Sequence, residues 1–213
     1  IAYMNTSGRL KGIAGETGGA VCTSSNAPLV VDWALKQGKR ILFVPDEHLG
    51  RNTAVQLGMD VTKLVTLPNP TIHGIDWGVD SIAGIDDCEM MLWGGYCGVH
   101  TIFNAEQVDW WKSQDWQVLV HPESPIDAVQ VADGFGSTAY LWNRVMEAPE
   151  GSKFAVGTEG HFVRNLQVQA GLKGISVEHL ADAKIPKTKT AGCGCATMSR
   201  NDPPHLAGML DLL

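Results

Sequence analysis

Short apolar runs recur along the chain, and most are followed by a stretch in which apolar positions return every three or four residues. The runs predict strands at 1–4, 20–23, 40–44, 89–93, 117–120, 154–157 and 174–177. The periodic stretches predict helices over 7–16, 28–36, 52–57, 105–113, 124–132, 137–147 and 160–169. Strands alternating with helices are the pattern of βα units on a parallel sheet, so the expected fold class is α/β. Asn26-Ala27-Pro28 reads as a helix entry, because Asn caps and Pro suits the first turn. Leu29, Val30, Trp33 and Ala34 then follow at helical spacing.

Three predicted strands end alike, in Phe43-Val44-Pro45-Asp46, Val120-His121-Pro122-Glu123 and Val156-Gly157-Thr158-Glu159. Ligands of open parallel sheets sit beyond the carboxyl ends of the strands, so three carboxylates placed there point at a common cleft. Any one of them alone would serve equally as a cap for the next helix. The recurring strand–carboxylate–helix unit suggests a duplicated βα domain with a boundary near 94–104. The expected division is an αβα domain over 1–94, a second over 95–180, and a C-terminal segment over 181–213. Residues 66–87 carry Pro68, Pro70, Gly74, Gly78 and Gly84 with little periodicity and read as a surface insertion. Residues 183–190, with Lys184, Pro186, Lys187 and Lys189, read as a strap toward the last cysteines.

With 213 residues, 44% of them hydrophobic, the chain can bury a substantial core. The balance of 16 basic against 23 acidic residues gives −7, and no basic stripe interleaved with aromatics is present, which argues against a nucleic-acid surface. An anionic substrate would need local donors. Five irregularly spaced cysteines, no signal peptide and no apolar run of membrane length fit a reducing cytoplasm and no membrane partner. The chain opens on a strand-like run without an initiator Met, which reads as an internal start.

The candidate chemistry centres on two thiols. Cys97 lies in Trp93-Gly94-Gly95-Tyr96-Cys97-Gly98-Val99-His100, and Cys195 in Gly192-Cys193-Gly194-Cys195-Ala196-Thr197-Met198. Flanking glycines let the backbone crowd against whatever a sulfur holds, and small neighbours keep a thiolate reachable. A free cysteine also packs as a small apolar residue, and no close-set Cys-x-x-Cys zinc pattern is present. The residues alone leave three readings open: an iron–sulfur enzyme, a two-domain α/β small-ligand-binding module, or a zinc-dependent hydrolase using Cys97, Cys195 and a histidine. The roles of His100 and Cys193 stay open.

Eight short motifs in order resemble the quinolinate synthase family: Tyr3-Met4-Asn5-Thr6-Ser7; Cys22-Thr23-Ser24-Ser25-Asn26-Ala27; Pro45-Asp46 with Leu49-Gly50-Arg51; Gly95-Tyr96-Cys97 with Val99-His100; His121-Pro122-Glu123; Gly136-Ser137-Thr138; Gly157-Thr158-Glu159; and Cys195 with Met198. They cover nearly the whole chain. The resemblance implies three similar αβα domains, of which this chain would hold the second and third. It implies condensation of iminoaspartate with dihydroxyacetone phosphate to quinolinate for NAD biosynthesis, with an aspartate oxidase or dehydrogenase supplying iminoaspartate. The implied cofactor is a [4Fe–4S] cluster held by one cysteine per domain, with Cys97 and Cys195 as two ligands. The first ligand would lie upstream of Tyr3, so the chain is expected to be a fragment that is inactive alone. By resemblance Tyr3 and Glu123 form the acid/base pair beside His121, and Asn5, Ser24 and Thr138 join Tyr3, His121 and Glu123 in binding substrate.

Overall fold

Successive apolar runs are joined by helices, and a helical crossover returns the chain to start each strand in the same direction. The computed structural model describes residues 1–38, 40–73, 82–185, 194–195, 197–198 and 202–212. The elements in order are β1 (Ala2–Tyr3), α1 (Gly8–Glu16), β2 (Val21–Cys22), α2 (Ala27–Leu35), β3 (Ile41–Phe43), α3 (Glu47–Gln56), β4 (Leu64–Leu67), α4 (Pro70–His73) and β5 (Met90–Trp93). Then come α5 (Ala105–Lys112), β6 (Gln117–Val120), α6 (Ile126–Val131), β7 (Gly134–Phe135), α7 (Thr138–Met146), β8 (Lys153–Gly157), α8 (Gly160–Gly171), β9 (Ser176–His179) and α9 (Pro203–Leu210).

All strand pairs among the described residues are parallel. One set runs β3-β5-β4 and another β7-β6-β8-β9, with β1-β2 as a third pair. A parallel bridge from Ala2 to Val44 attaches β1 to the end of β3. There the Tyr3 N–H donates to the Val44 carbonyl at 2.7 Å, and the Val44 N–H donates to the Ile1 carbonyl at 3.1 Å. The first half therefore runs β2-β1-β3-β5-β4. With edge strand β4 set aside, both halves share one order: second strand, first, third, last.

In the second half helices cover both faces of the sheet, whereas in the first the face bearing Phe43, Met90 and Leu92 is covered and Leu42 on the other face of β3 is 42% exposed. Phe43, Met90 and Leu92 are fully buried and pack with Leu49 and Ala54 of α3. In the second half, Val118, Val120 and Ala155 face Phe103 and Trp111, while Leu119, Phe154 and Val156 face Leu141, Val163 and Leu166. A Cβ on Gly50 would stand 2.7 Å from Leu92 Cδ2 and 2.9 Å from Phe43 Cδ1. Its absence lets α3 lie close against β3 and β5, which fixes where the N-terminus of α3 points.

The structure departs from the sequence expectations at several boundaries. Helix α3 starts at Glu47 rather than 52, because the Asp46 side chain accepts the Leu49 N–H and so begins the helix before its apolar periodicity shows. The segment read as a surface insertion opens inside strand β4, whose Thr66 and Leu67 pair with Leu92 and Trp93. Residues 74–81 of that segment lie outside the described residues, as do 186–193 with Cys193. Strand β9 begins two residues later than expected, since Gly174, at φ 70°, closes the preceding turn. Strand β7 has two residues and β4 four, and neither was read from the pattern, nor was α9. No helix among the described residues is long and apolar enough to cross a membrane.

Candidate active site

Four chain segments meet beyond the carboxyl ends of the strands: the end of β1 and the turns after β3, β5 and β6. The strand-end carboxylates divide into two kinds. Asp46 caps α3 and Glu159 caps α8 through the Phe162 N–H. Glu123 caps nothing, because α6 starts after Pro125 with no side-chain cap. Glu123 is 2% exposed, and its carboxylate is left free of a capping role.

His100 supplies the balancing charge. Its Nδ1 lies 2.7 Å from Glu123 Oε2, although the alignment falls short of a hydrogen bond. Nε2 meets the Thr158 hydroxyl at 3.1 Å. Burial alone disfavours the imidazolium, but the adjacent Cys97 thiol and Glu123 carboxylate more than offset it and hold His100 above the ordinary histidine value. Burial would likewise raise Glu123, yet His100 holds it well below the usual carboxylate range. Glu123 is therefore an anion at neutral pH, and its Oε1 has no hydrogen-bond partner among the described residues.

His121 behaves oppositely. Its ring stacks on His100 with centroids 4.4 Å apart, and burial followed by the His100 charge pushes it down to about 3. The Glu123 N–H donates to His121 Nδ1 at 3.3 Å, so that nitrogen carries no proton. The neutral ring must then be protonated at Nε2, which makes it a hydrogen-bond donor.

Tyr3 ends β1 and is 5% exposed. Its phenol interacts with the Glu123 carboxylate and the Ser24 hydroxyl, and burial, then Glu123, hold it well above its usual value, so it keeps its proton. Asp46 faces the same carboxylate, and burial together with Glu123 pushes it up to about 7. The structure thus brings together Tyr3, Ser24, His121 and Glu123. Asn5 is exposed just beyond β1, and Thr138 is exposed at the first residue of α7. Strand β7 adjoins β6, so Thr138 follows a strand end next to the His121 turn.

The cysteines separate by accessibility. Cys22 and Cys88 are free and buried, whereas Cys97 and Cys195 are free and half-buried. Burial pushes the Cys22 thiol up to about 11, which keeps it inert. Cys97 Sγ, a His100 ring nitrogen and a Glu123 oxygen all lie within 4.8 Å of one another. A run of contacts also leads from Cys97 toward Cys195: His100 reaches Thr158, and the carboxylate of its neighbour Glu159 lies near the Cys195 N–H. Two accessible soft thiols joined to one contact network are donors that suit an iron–sulfur centre.

Asn52 is 2% exposed and ties the halves together: its Nδ2 donates to the Pro122 and Ser124 carbonyls, each at 2.8 Å. Those carbonyls flank Glu123. Replacing Asn52 with Ala leaves two buried acceptors unpaired, so Asn52→Ala is expected to cost about 1–3 kcal/mol, read as a lower denaturant midpoint. Asn52 went unassigned in the sequence because nothing local marks a contact across some 70 residues. His100 did carry a signal: it follows Cys97 by three residues, a spacing that places both on one turn, where the Thr101 N–H closes back to the Cys97 carbonyl at 3.1 Å.

Comparison with known proteins matches residues 1–213 to the family described as Quinolinate synthetase A protein. The chain is 39% identical over 216 residues to a quinolinate synthase of Corynebacterium glutamicum, covering 100% of this chain and 51% of that protein. It is 39% identical over 213 residues to one of Staphylococcus carnosus, covering 99% and 54%. It is 40% identical over 216 residues to one of Streptomyces coelicolor, covering 100% and 52%. The chain spans about half the length of the curated relatives it matches.

Proposed function

This chain belongs to the quinolinate synthetase A family, and from that premise we propose that it is part of an enzyme condensing iminoaspartate with dihydroxyacetone phosphate to quinolinate in the cytoplasm. An aspartate oxidase or dehydrogenase supplies the iminoaspartate. Residues 1–94 and 95–180 form the family's second and third αβα domains, and 181–213 carries a cluster cysteine. The observation that supports this reading best is the meeting of Tyr3, His121 and Glu123 beside the Cys97 turn.

Cys97 and Cys195 are two of the three protein ligands of a [4Fe–4S] cluster, and the third lies outside this chain. When bound, an iron without a protein ligand supplies a Lewis acid for substrate oxygens. The remaining work falls to side chains. Condensation and loss of two waters and phosphate need protons taken from carbon and given to departing oxygens. Glu123, kept ionised by His100, is the base. Tyr3, kept protonated beside it, is the acid. His121 donates from Nε2 to a substrate oxygen as charge develops there, since its Nδ1 is already occupied. Asn5, Ser24 and Thr138 hold carboxylate or phosphate oxygens, and the N-terminal turn of α7 adds its backbone donors. Anionic substrates are thereby bound by a chain of net charge −7.

A second reading, a mononuclear cation site, draws on the Cys97, His100 and Glu123 grouping. Anaerobic assay of the full-length protein tests the proposal: quinolinate is expected only when both substrates are present, and none from a folded, iron-replete protein would overturn it.

A further inference from the structure

Strands β3 and β8 occupy the same place in their sheets, third in the shared order. Each ends in a buried carboxylate that caps the next helix, Asp46 at 4% and Glu159 at 7% exposure. Each carboxylate also does something a cap does not require. Asp46 Oδ1 accepts the Leu49 N–H at 2.8 Å, while Oδ2 accepts the Cys97 N–H at 3.0 Å. Glu159 Oε2 accepts the Phe162 N–H at 3.0 Å, and Oε1 meets His161 Nδ1 at 2.8 Å, while a Cβ on Gly194 would stand 3.6 Å from His161 Cε1 and the carboxylate lies near the Cys195 N–H.

Capping takes one oxygen, and Ser, Thr or Asn provides it without the cost of burying a charge. A carboxylate has two, and here both are used. The Cys97 turn is held at further points as well. The Glu47 N–H donates to the Gly95 carbonyl at 2.8 Å, and a Cβ on Gly95 would collide with the Pro45 carbonyl. The turn bearing the thiol is therefore laid directly on the cap of α3.

We propose that Asp46 and Glu159 are paired positioning residues for Cys97 and Cys195: Asp46 holds the Cys97 N–H against the N-terminus of α3, and Glu159, fixed at the N-terminus of α8 and against His161, sets its carboxylate beside the Cys195 segment. The inference rests on the reading that these two cysteines ligate the cluster. The carboxylates touch neither iron nor substrate; they set where each sulfur is delivered. Because the sheet order is repeated, equivalent helix-capping carboxylates stand beside both ligands. Rigid helices then carry the ligand geometry instead of the glycine-flanked segments that bear the cysteines in sequence.

The test uses the full-length holoprotein and measures the rate at which a chelator removes iron, together with the electron paramagnetic resonance spectrum of the reduced cluster. In Asp46→Asn and Glu159→Gln the amide oxygen still caps the helix, but the second acceptor becomes a donor facing the cysteine N–H. Each is expected to lose iron about 10-fold faster or more and to show an altered spectrum, with the circular dichroism of the parent. Asp46→Ser, whose hydroxyl caps but reaches no further, gives the same loss. Asp60→Asn, which alters a cap that holds no cysteine, leaves the rate unchanged. Parental rates in Asp46→Asn and Glu159→Gln, or loss in only one of the two, would overturn the inference. Cys97→Ser and Cys195→Ser run alongside: if they shed the cluster while the carboxamide variants keep it, only the positioning role falls. If they keep it too, the ligand reading falls with it.

Discussion

Glu123→Gln in the full-length protein is expected to lower the rate of quinolinate formation by about 10²- to 10⁴-fold while leaving iron content unchanged. The substitution keeps volume and shape but removes the negative charge. In the parent that charge is maintained against burial by His100, 2.7 Å away, and Glu123 Oε1 has no hydrogen-bond partner among the described residues. An amide there takes up no proton. The neighbours shift as well: His100 loses the anion that helps hold its proton, and the His121 ring stacked on it no longer sits beside a fixed cation. A single substitution thus removes the base and disturbs two more side chains, which is why the effect should exceed that of any one binding residue. The measurement is a steady-state rate under anaerobic conditions with iron assayed on the same sample. A rate within threefold of the parent would remove Glu123 from the chemistry.

The second large effect concerns the thiols. Cys97→Ser and Cys195→Ser are each expected to cut iron retention by about tenfold or more, because a serine hydroxyl stays protonated where a thiolate would bind and is a far harder donor. Cys22→Ser and Cys88→Ser should keep the iron. Cys22 packs in the first core, and the Cys88 thiol donates to the Ile85 carbonyl at 3.1 Å, so either change acts on stability alone. Iron content and visible absorption after anaerobic purification separate the two classes.

Much of this arrangement was legible in the sequence. The parallel α/β architecture follows from alternation of apolar runs and periodic stretches, and β6 falls where the pattern of Gln117–Val120 puts it. The strand-end carboxylates were visible as well, though not their division of labour. Asp46, Glu123 and Glu159 look alike in sequence, and only the start of the following helix tells them apart: at residue 47 beside Asp46, at 160 beside Glu159, but at 126 beyond Pro125 after Glu123. The clamp from Asn52 and the joining of β1 to β3 through Ala2 and Val44 rest on long-range contacts with no local signature. β4 was hidden because turn-forming Pro68 and Pro70 follow it immediately and masked its four apolar-leaning positions.

The most direct test of the iron–sulfur reading is the metal and acid-labile sulfide content of the full-length protein purified without oxygen. About four irons and four sulfides per chain, falling together in Cys97→Ser, are expected for a [4Fe–4S] enzyme. A single bound zinc with no sulfide, retained in Cys195→Ser and lost in His100→Ala, would contradict it and leave the mononuclear site in its place.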